Sequence, residues 1–330
     1  MKCTSILMNG IGLAVAGLLA VSCSGAGDKI ESTQTSGLTT IACDKTFENI
    51  LSQEIDVFEY IYPKANIMPY YLDQNSVLDS LLDMKVKMAV MSRPLNAKEI
   101  AYLKDQGKMV RQTQIAVDAI ALIVNPENPF DIIDRKELVD ILSGKLSKWS
   151  EIVPGGDKLG DVAVVFENSG ASTVQYMRDS LMNGVAFAPN VYAQSTPQEV
   201  FERVARSKNA IGVIGVSWVT DDLDRANLSK EELVAKVDES GTVDQTFSPD
   251  VKVLKVRGNN EVTAYKPYQY YIAEGSYPFY RQIYLISTGA NGTLSHGFYS
   301  FVTGFQGQRI MQLSGVLPKV LDLHRMVELN

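Results

Sequence analysis

From about residue 38 onward, short apolar runs of strand length alternate with amphipathic runs of helix length. Strands that alternate with helices are typical of mostly parallel sheets covered by helices. The sequence therefore predicts an α/β architecture. The predicted strands cover residues 87–91, 119–124, 161–166, 210–215, 251–256 and 282–287.

Three predicted helices begin at marked capping residues. Asp134 and Ser229 each stand three positions before a glutamate, the spacing of a capping box. Thr196 is followed by proline, which suits the first helical position. These starts support the alternation of strands and helices.

The N-terminus has the features of an export signal. Lys2 precedes an apolar run over residues 11–21, which is too short to span a bilayer comfortably. The small residues before Cys23 resemble the lipobox of bacterial lipoproteins, which implies cleavage before Cys23 and diacylation of its thiol. We therefore predict a signal peptide over residues 1–22 and an exported, membrane-anchored lipoprotein that faces the periplasm or the cell exterior. An ordinary secretory leader with an incidental cysteine is the alternative.

Residues 23–37 are poor in large apolar side chains, and we predict a flexible tether there. With Cys3 in the leader and Cys23 lipidated, Cys43 is left alone, so no disulfide or redox pair is expected.

The 330-residue chain has a net charge of −7, which provides no basic field for nucleic acid. An anionic ligand remains compatible, because local donors outweigh a distant charge that salt screens over about 8–10 Å.

The first of three candidate binding loops joins a predicted strand to a helix at residues 42–47. Asp44, Lys45 and Thr46 lie where backbone N–H groups and the positive end of a helix dipole are exposed. This position predicts an anion site, and a plain helix N-cap is the alternative.

The second loop follows the predicted strand at residues 87–91. Ser92 supplies a hydroxyl donor, and Arg93 supplies a planar guanidinium that suits two oxygens of an oxyanion. A surface or interdomain ion pair is the alternative for the arginine.

The third loop joins the strand at residues 161–166 to a helix. It concentrates hydroxyls, an amide and a glycine at a helix N-terminus, which suits phosphate, whereas capping alone needs only one serine. Its candidate residues are Asn168, Ser169, Gly170, Ala171, Ser172 and Thr173.

Signatures of catalysis are sparse in the sequence. His296 and His324 have no obvious partner, and no nucleophile elbow, Walker loop, dinucleotide fingerprint or zinc-protease motif occurs. We predict no enzyme activity, no cofactor and no metal. The tyrosine-rich stretch over residues 265–284 suits a sugar platform, but its irregular spacing favours packing in the core and between domains.

Taken together and in this order, these segments resemble the substrate-binding proteins of phosphate ABC transporters. Besides the three loops, the resemblance rests on residues 121–130, 138–149, 209–214, 277–284, 305–308 and 315–318. It implies a class II periplasmic-binding-protein fold: two lobes, each a mostly parallel sheet flanked by helices, joined by two crossovers. The implied boundaries are residues 38–120 and 275–330 for lobe I and 121–274 for lobe II, with hinges near residues 119–123 and 275–286.

The resemblance also implies that an oxyanion contacts all three loops between the lobes. The implied contacts are Asp44, Lys45, Thr46, Ser92, Arg93 and residues 168–173. The sequence departs from the family in the first loop, where Asp44 and Lys45 replace small residues. In the third loop, Val165 and Phe166 stand where an arginine is expected, and Ala171 stands where a threonine is expected unless Ser172 takes that place.

We therefore expect a monomeric solute-binding protein that captures phosphate or a similar oxyanion and delivers it to the permease of an ABC importer. Its contact with the membrane would be the lipid anchor alone. Because the loops depart from the family, a scaffold or sensor lipoprotein with an altered or lost ligand site is the alternative. A phosphoester hydrolase is disfavoured, because the sequence has neither a metal-ligand cluster nor a nucleophile–base pair.

Replacing Cys23 tests the lipid anchor. Cys23→Ala should either release mature protein from membranes or leave an uncleaved precursor, because the acylated thiol is lost. Membrane fractionation and gel mobility of the parent and the variant measure this, with Cys3→Ala as the control that stays membrane-bound. A Cys23→Ala protein that fractionates and migrates like the parent contradicts the lipoprotein prediction.

Overall fold

The computed structural model describes residues 32–220, 228–239, 245–259 and 261–320. The predicted signal peptide, Cys23 and most of the predicted tether lie outside the described residues, as does His324. Within the described ranges, no helix is both long and apolar enough to cross a membrane.

The secondary structure alternates as the sequence predicts, and each of the six predicted strands overlaps an observed one. The strands are β1 (Ser36–Asp44), β2 (Lys64–Leu72), β3 (Met88–Met91), β4 (Arg111–Val124), β5 (Ile132–Asp134), β6 (Ala163–Phe166), β7 (Val191–Ala193), β8 (Ala210–Gly215), β9 (Lys252–Val253), β10 (Lys255–Arg257), β11 (Ala264–Tyr265), β12 (Tyr280–Ser287) and β13 (Leu317–Pro318).

Helices connect most of these strands. They are α1 (Glu48–Ile61), α2 (Gln74–Leu82), α3 (Ala97–Asp105), α4 (Arg135–Leu142), α5 (Ser172–Tyr176), α6 (Pro197–Arg206), α7 (Lys230–Asp238), α8 (Gln269–Ala273), α9 (Leu294–Thr303) and α10 (Phe305–Leu313). Short 3₁₀ helices include Lys45–Phe47 and Val216–Trp218.

The predicted helix starts are confirmed by their caps. Asp134 and Glu137 form a capping box at α4, and Ser229 and Glu232 form one at α7. The Thr196 side chain accepts a hydrogen bond from the Glu199 N–H, with proline in the first turn of α6. Each cap satisfies N–H groups that the first helical turn leaves without intrahelical partners.

One path of strands runs through the molecule in the order β2-β1-β3-β12-β4-β8-β6-β7. The long strand β4 pairs with β12 from Arg111 to Ala119 and with β8 from Ile120 to Val124. We call β1, β2, β3 and β12, with the helices packed on them, the first lobe. The second lobe consists of β6, β7 and β8 with their helices, so the two lobes share β4.

The predicted two-lobed α/β fold is confirmed. β2, β1 and β3 are parallel, as are β8, β6 and β7, and the antiparallel pairs of this path lie at β4 and β12. These two strands therefore carry the crossovers. The sequence revealed only the second half of β4, because Ile120–Val124 is continuously apolar and buried on both faces, whereas the strand begins with the half-buried polar residues 111–114.

Candidate functional site

A buried ion pair joins the two crossover strands. Arg281 of β12 donates from Nε and Nη2 to Asp118 Oδ2 of β4, at 3.0 and 2.7 Å. The side chains are 3% and 0% exposed. Asp118 Oδ1 accepts a hydrogen bond from the backbone N–H of Val216, at 3.1 Å, where the 3₁₀ helix after β8 begins. The pair therefore fixes both crossovers and the end of β8 at one point.

The Arg281 guanidinium also reaches the loops that follow β1 and β6. Its Nη1 donates to the hydroxyl of Ser172, and its Cζ lies 4.4 Å from the ring centre of Phe47. Ser172 Oγ is 3.3 Å from Thr46 Oγ1. Hydroxyls from the two lobes and the guanidinium of a crossover strand thus form one hydrogen-bonded chain, Thr46–Ser172–Arg281.

Asp44 lies at the end of β1 and caps the short helix that contains Thr46. Its Oδ1 accepts a hydrogen bond from the Thr46 N–H at 3.1 Å, whereas its buried Oδ2 accepts none from any residue that the structure describes. Burial raises the pKa of the Asp44 carboxyl, and the positive charge of Arg281 and the hydroxyl of Ser172 oppose that rise. Asp44 therefore has one buried carboxyl oxygen without a hydrogen bond from the described residues.

Glu167 occupies the corresponding place after β6 in the second lobe. Its Oε1 accepts a hydrogen bond from Thr173 Oγ1, and its Oε2 is buried without a hydrogen bond from the described residues. Burial raises the pKa of Glu167 to about 7, although Thr173 and the charge of Arg281 act in the opposite direction. At neutral pH the carboxyl is partly protonated.

The site thus combines three buried carboxyl groups with one buried guanidinium. Arg281 and Asp118 neutralise each other, while Asp44 and Glu167 each keep one oxygen free. Such a site can bind a small anion through its hydroxyls and guanidinium, provided that the ligand or the carboxyls supply protons. Among the described residues, no group of three His, Cys, Asp or Glu side chains could hold a metal ion.

The structure brings several predicted site residues together and leaves others apart. Asp44, Thr46, Ser172 and Thr173 belong to the cluster, whereas Lys45 is half-buried and Ser169 is exposed.

The remaining residues of the third loop shape its turn. Asn168 Oδ1 accepts a hydrogen bond from the Gly170 N–H at 3.0 Å, and Ala171 is buried. A Cβ atom on Gly170 would lie 2.8 Å from the Cβ of Asp73 in the first lobe, so glycine permits this close approach of the lobes.

Ser92 and Arg93 have other partners in this structure. The Ser92 N–H donates to Gln74 Oε1 at 2.9 Å, and Gln74 donates across the lobes to Gln175 at 2.8 Å. Arg93 makes two hydrogen bonds to the Glu99 carboxylate, at 2.9 and 2.8 Å, and its side chain is 39% exposed. In this structure Arg93 therefore forms the ion pair that the sequence offered as the alternative, and its partner is Glu99. A ligand contact by Arg93 stays a prediction.

Sequence reasoning missed three polar residues of the cluster. Arg281 lies on an alternating strand whose burial pattern turns it inward, and Asp118 directly precedes the apolar run of β4. Glu167 is the first residue after an entirely buried strand. A charged residue inside or beside a buried strand is the signal that could have found them, because such a charge needs a partner.

Further contacts hold the lobes against each other beside the cluster. Trp218 Nε1 donates to the carbonyl of Thr46 at 2.8 Å, and Asn49 Nδ2 donates to the carbonyl of Ser217 at 2.9 Å. The lobes are therefore closed. Because the hydroxyls of Thr46 and Ser172 touch, an anion can bind between them only after the lobes separate.

The raised pKa of Glu167 predicts a pH-dependent stability. Between pH 4.5 and about pH 7, Glu167 keeps its proton in the folded protein but loses it in the unfolded chain. Its contribution to the free energy of unfolding is therefore full below pH 4.5 and declines up to about pH 7. Relative to Glu167→Gln, the parent should lose up to about 3 kcal/mol of unfolding free energy over that range. Denaturant titrations at several pH values measure this. Asp44 is present in both proteins, so its titration affects both equally. If the unfolding free energies of the parent and Glu167→Gln change with pH in parallel, the raised pKa does not belong to Glu167.

Comparisons with known proteins agree with this architecture. The phosphate-binding protein PstS of Pseudomonas aeruginosa is 24% identical over 295 residues, which cover 85% of this chain and 82% of that protein. Among solved structures, a Clostridium perfringens protein described as a phosphate ABC transporter substrate-binding protein with bound phosphate aligns with a TM-score of 0.65 and 20% identity, covering 86% of this chain and all of that one. A phosphate transport receptor from Vibrio cholerae aligns with a TM-score of 0.60 and 16% identity, covering 84% and 99%.

At these identities the solved structures show the fold alone. The family follows from the sequence itself, because the model described as the PBP superfamily domain matches residues 30–304, most of the chain. The chain therefore belongs to the PBP superfamily.

Proposed function

We propose that this chain is the solute-binding protein of an ABC-type phosphate importer, and that Arg281 is the cation of its ligand site. The main support is the convergence of Arg281, Ser172 and Thr46 from both lobes and a crossover. The names of the Pseudomonas and Clostridium relatives support phosphate as the ligand. A related oxyanion of similar size and protonation would fit the same donors.

The charges of the site favour an anion that carries protons. Asp44 Oδ2 and Glu167 Oε2 can only accept hydrogen bonds when ionised, and hydrogen phosphate offers hydroxyl donors for them. A fully ionised anion such as sulfate offers none, and it would face two carboxylates in a buried site. We expect weaker binding of sulfate for that reason.

Binding requires the lobes to part and close again. We propose hinges near residues 119–123 and 275–286, with lobe I at residues 38–120 and 275–330 and lobe II at residues 121–274. The exchange of strand partners on β4, from β12 at Ala119 to β8 at Ile120, supports this boundary. Hinge closure would then bring Ser172 and Thr46 onto opposite sides of the ligand.

We also propose that the protein is exported, held at the membrane by acylated Cys23, monomeric, and without enzymatic activity. The partner would be the membrane permease of the importer. In this role the chain binds its ligand reversibly and performs no chemistry on it.

A scaffold or sensor function is the second candidate. This candidate is favoured because the guanidinium of Arg281 already donates hydrogen bonds to Asp118 and Ser172 and needs no ligand as a partner. A protein that binds neither phosphate nor any other oxyanion would support that candidate.

Substitution of Arg281 tests the proposed ligand contact. Arg281→Lys keeps the charge beside Asp118 but loses the planar fork, so phosphate affinity should fall by about 1–2 kcal/mol, or roughly tenfold, in calorimetric titration. Arg281→Ala should lose at least about 2–3 kcal/mol of binding, together with stability, because Asp118 is left buried and unpaired.

Variants of two other arginines serve as comparisons for the Arg281 variants. Arg257→Lys alters an arginine of β10 that pairs with Asp134 of β5 in a separate sheet, at 3.1 Å, and should leave affinity unchanged. Arg93→Ala tests the rival assignment from the sequence. If Arg93→Ala abolishes phosphate binding while Arg281→Lys binds like the parent, Arg281 is not the ligand's cation.

A further inference from the structure

A cavity of about 550 Å³ lies in the first lobe, at the end of the sheet opposite the candidate site. It is lined by the start of β1, the residue before β3 and the segment after β12, together with the turn after α3 and the start of α9. Thr39 of β1 lines the cavity, whereas Asp44 at the end of the same strand belongs to the site. The five positions between them correspond to about 17 Å of extended strand, so the cavity is separate from the site.

Positive charge is concentrated at this cavity. Lys87, which is exposed, and Lys108, which is half-buried, line it, and no aspartate or glutamate does so among the described residues. Neither lysine forms an ion pair in the part of the chain that the structure describes. The whole chain has a net charge of −7, so the cavity is opposite in sign to the protein as a whole. Two such lysines favour an anionic partner.

A buried hydroxyl group in the lining has no partner. Thr39 is 5% exposed, and its Oγ1 makes no hydrogen bond with any described residue. The start of α9 also lines the cavity, through Thr293 and Ser295. Thr293 does not cap this helix, because its hydroxyl donates to the carbonyl of Ala290 at 2.7 Å. Since buried polar groups are normally hydrogen-bonded, the Thr39 hydroxyl beside the positive end of the α9 dipole indicates a place for an anion.

Apolar side chains lie beside the two lysines. Leu38 is 59% exposed and Met109 is 52% exposed, and both line the cavity. A free inorganic anion gains nothing from such side chains, whereas a phospholipid presents a phosphate group next to apolar glycerol and acyl carbons. Lysines together with exposed apolar side chains are typical of surfaces that bind at the interface of an anionic membrane.

The position of the cavity along the chain also favours a membrane. Ser32 lines it, and Ser32 Oγ accepts a hydrogen bond from the Leu294 N–H at 3.2 Å. The proposed acylation site, Cys23, precedes Ser32 by nine residues, which span at most about 32 Å when fully extended. An acylated Cys23 would therefore keep this end of the first lobe within reach of lipid headgroups.

We propose that this cavity binds the phosphate headgroup of an acidic phospholipid. Lys87 and Lys108 contact the phosphate, the Thr39 hydroxyl donates a hydrogen bond to it, and Leu38 and Met109 lie against the glycerol and acyl carbons. The lipid would hold the first lobe by the end opposite the candidate site. The inference rests on the proposed export to a membrane surface, and it does not depend on which solute the candidate site binds.

Hydrogen–deuterium exchange with added vesicles tests this site. The full chain carries Cys23→Ala, so that the proposed acyl anchor does not contribute to binding. The vesicles consist either of phosphatidylcholine alone or of equal parts of phosphatidylcholine and phosphatidylglycerol. The anionic vesicles should slow exchange in peptides over residues 106–110, which include the lining residues 107–109, and the neutral vesicles should not.

Variants of the lining show whether the cavity is responsible. A lysine near an anionic surface strengthens binding about fivefold, so Lys87→Ala and Lys108→Ala should each raise the half-saturating concentration of anionic lipid about fivefold. Thr39→Val keeps the shape and charge of the cavity and should weaken binding by a similar factor, because one hydrogen bond is lost. Lys158→Ala, which removes an exposed lysine before β6 of the second lobe, is the matched control and should bind like the parent.

Inorganic phosphate without vesicles separates this proposal from the proposed solute binding. It should slow exchange over residues 168–173 of the candidate site and leave residues 106–110 unchanged. Absent protection at residues 168–173 would count against solute binding alone. If inorganic phosphate protects residues 106–110, the cavity binds free phosphate and the lipid proposal is overturned. It is overturned equally if both vesicle types act alike at these peptides, or if Lys158→Ala weakens binding as much as the cavity variants.

Discussion

A buried ion pair between Arg281 and Asp118 joins the two crossover strands beside the loops of both lobes. Moving two charges into a closed interface costs several kcal/mol per ion, and the cost is offset only when the remaining hydrogen-bonding groups find partners. Here the partners come from β4, β12, the turn after β8 and the loop after β6. The ion pair therefore links neighbouring crossover strands to the second lobe, and it holds a guanidinium where the loops of both lobes meet.

The same pair explains the chemistry of its surroundings. Burial raises the pKa of the adjacent Asp44 and Glu167 carboxyls, and the positive charge of Arg281 offsets only part of that rise. The site therefore contains two carboxyl groups that can hold protons, together with a few hydrogen-bond donors, and it is not a purely positive pocket. It favours ligands that bring hydrogens as well as negative charge, and it ties binding to the protonation of the protein.

The sequence predicts the fold well because its signals are local. Alternating apolar runs and the caps at Asp134, Thr196 and Ser229 report on neighbouring residues, and the observed elements follow them. The sequence also predicted that the loops with Thr46 and Ser172 meet, since both follow strands whose ends lie at one crevice, and their hydroxyls are 3.3 Å apart. The pairing of Arg281 with Asp118 spans 163 positions, so it leaves no local pattern in the sequence. The pairing of Arg93 with Glu99, six positions away, is a local contact for which the sequence offered an ion pair as the alternative without naming this partner.

The central claim is that the guanidinium of Arg281 serves both the crossover ion pair and the ligand. A crystal structure of the full chain grown with phosphate measures this directly. The account predicts phosphate oxygens within about 3.2 Å of Arg281, Ser172 and Thr46, with Arg93 still bound to Glu99. Phosphate held by Arg93, with Arg281 bonded only to Asp118 and Ser172, would contradict it.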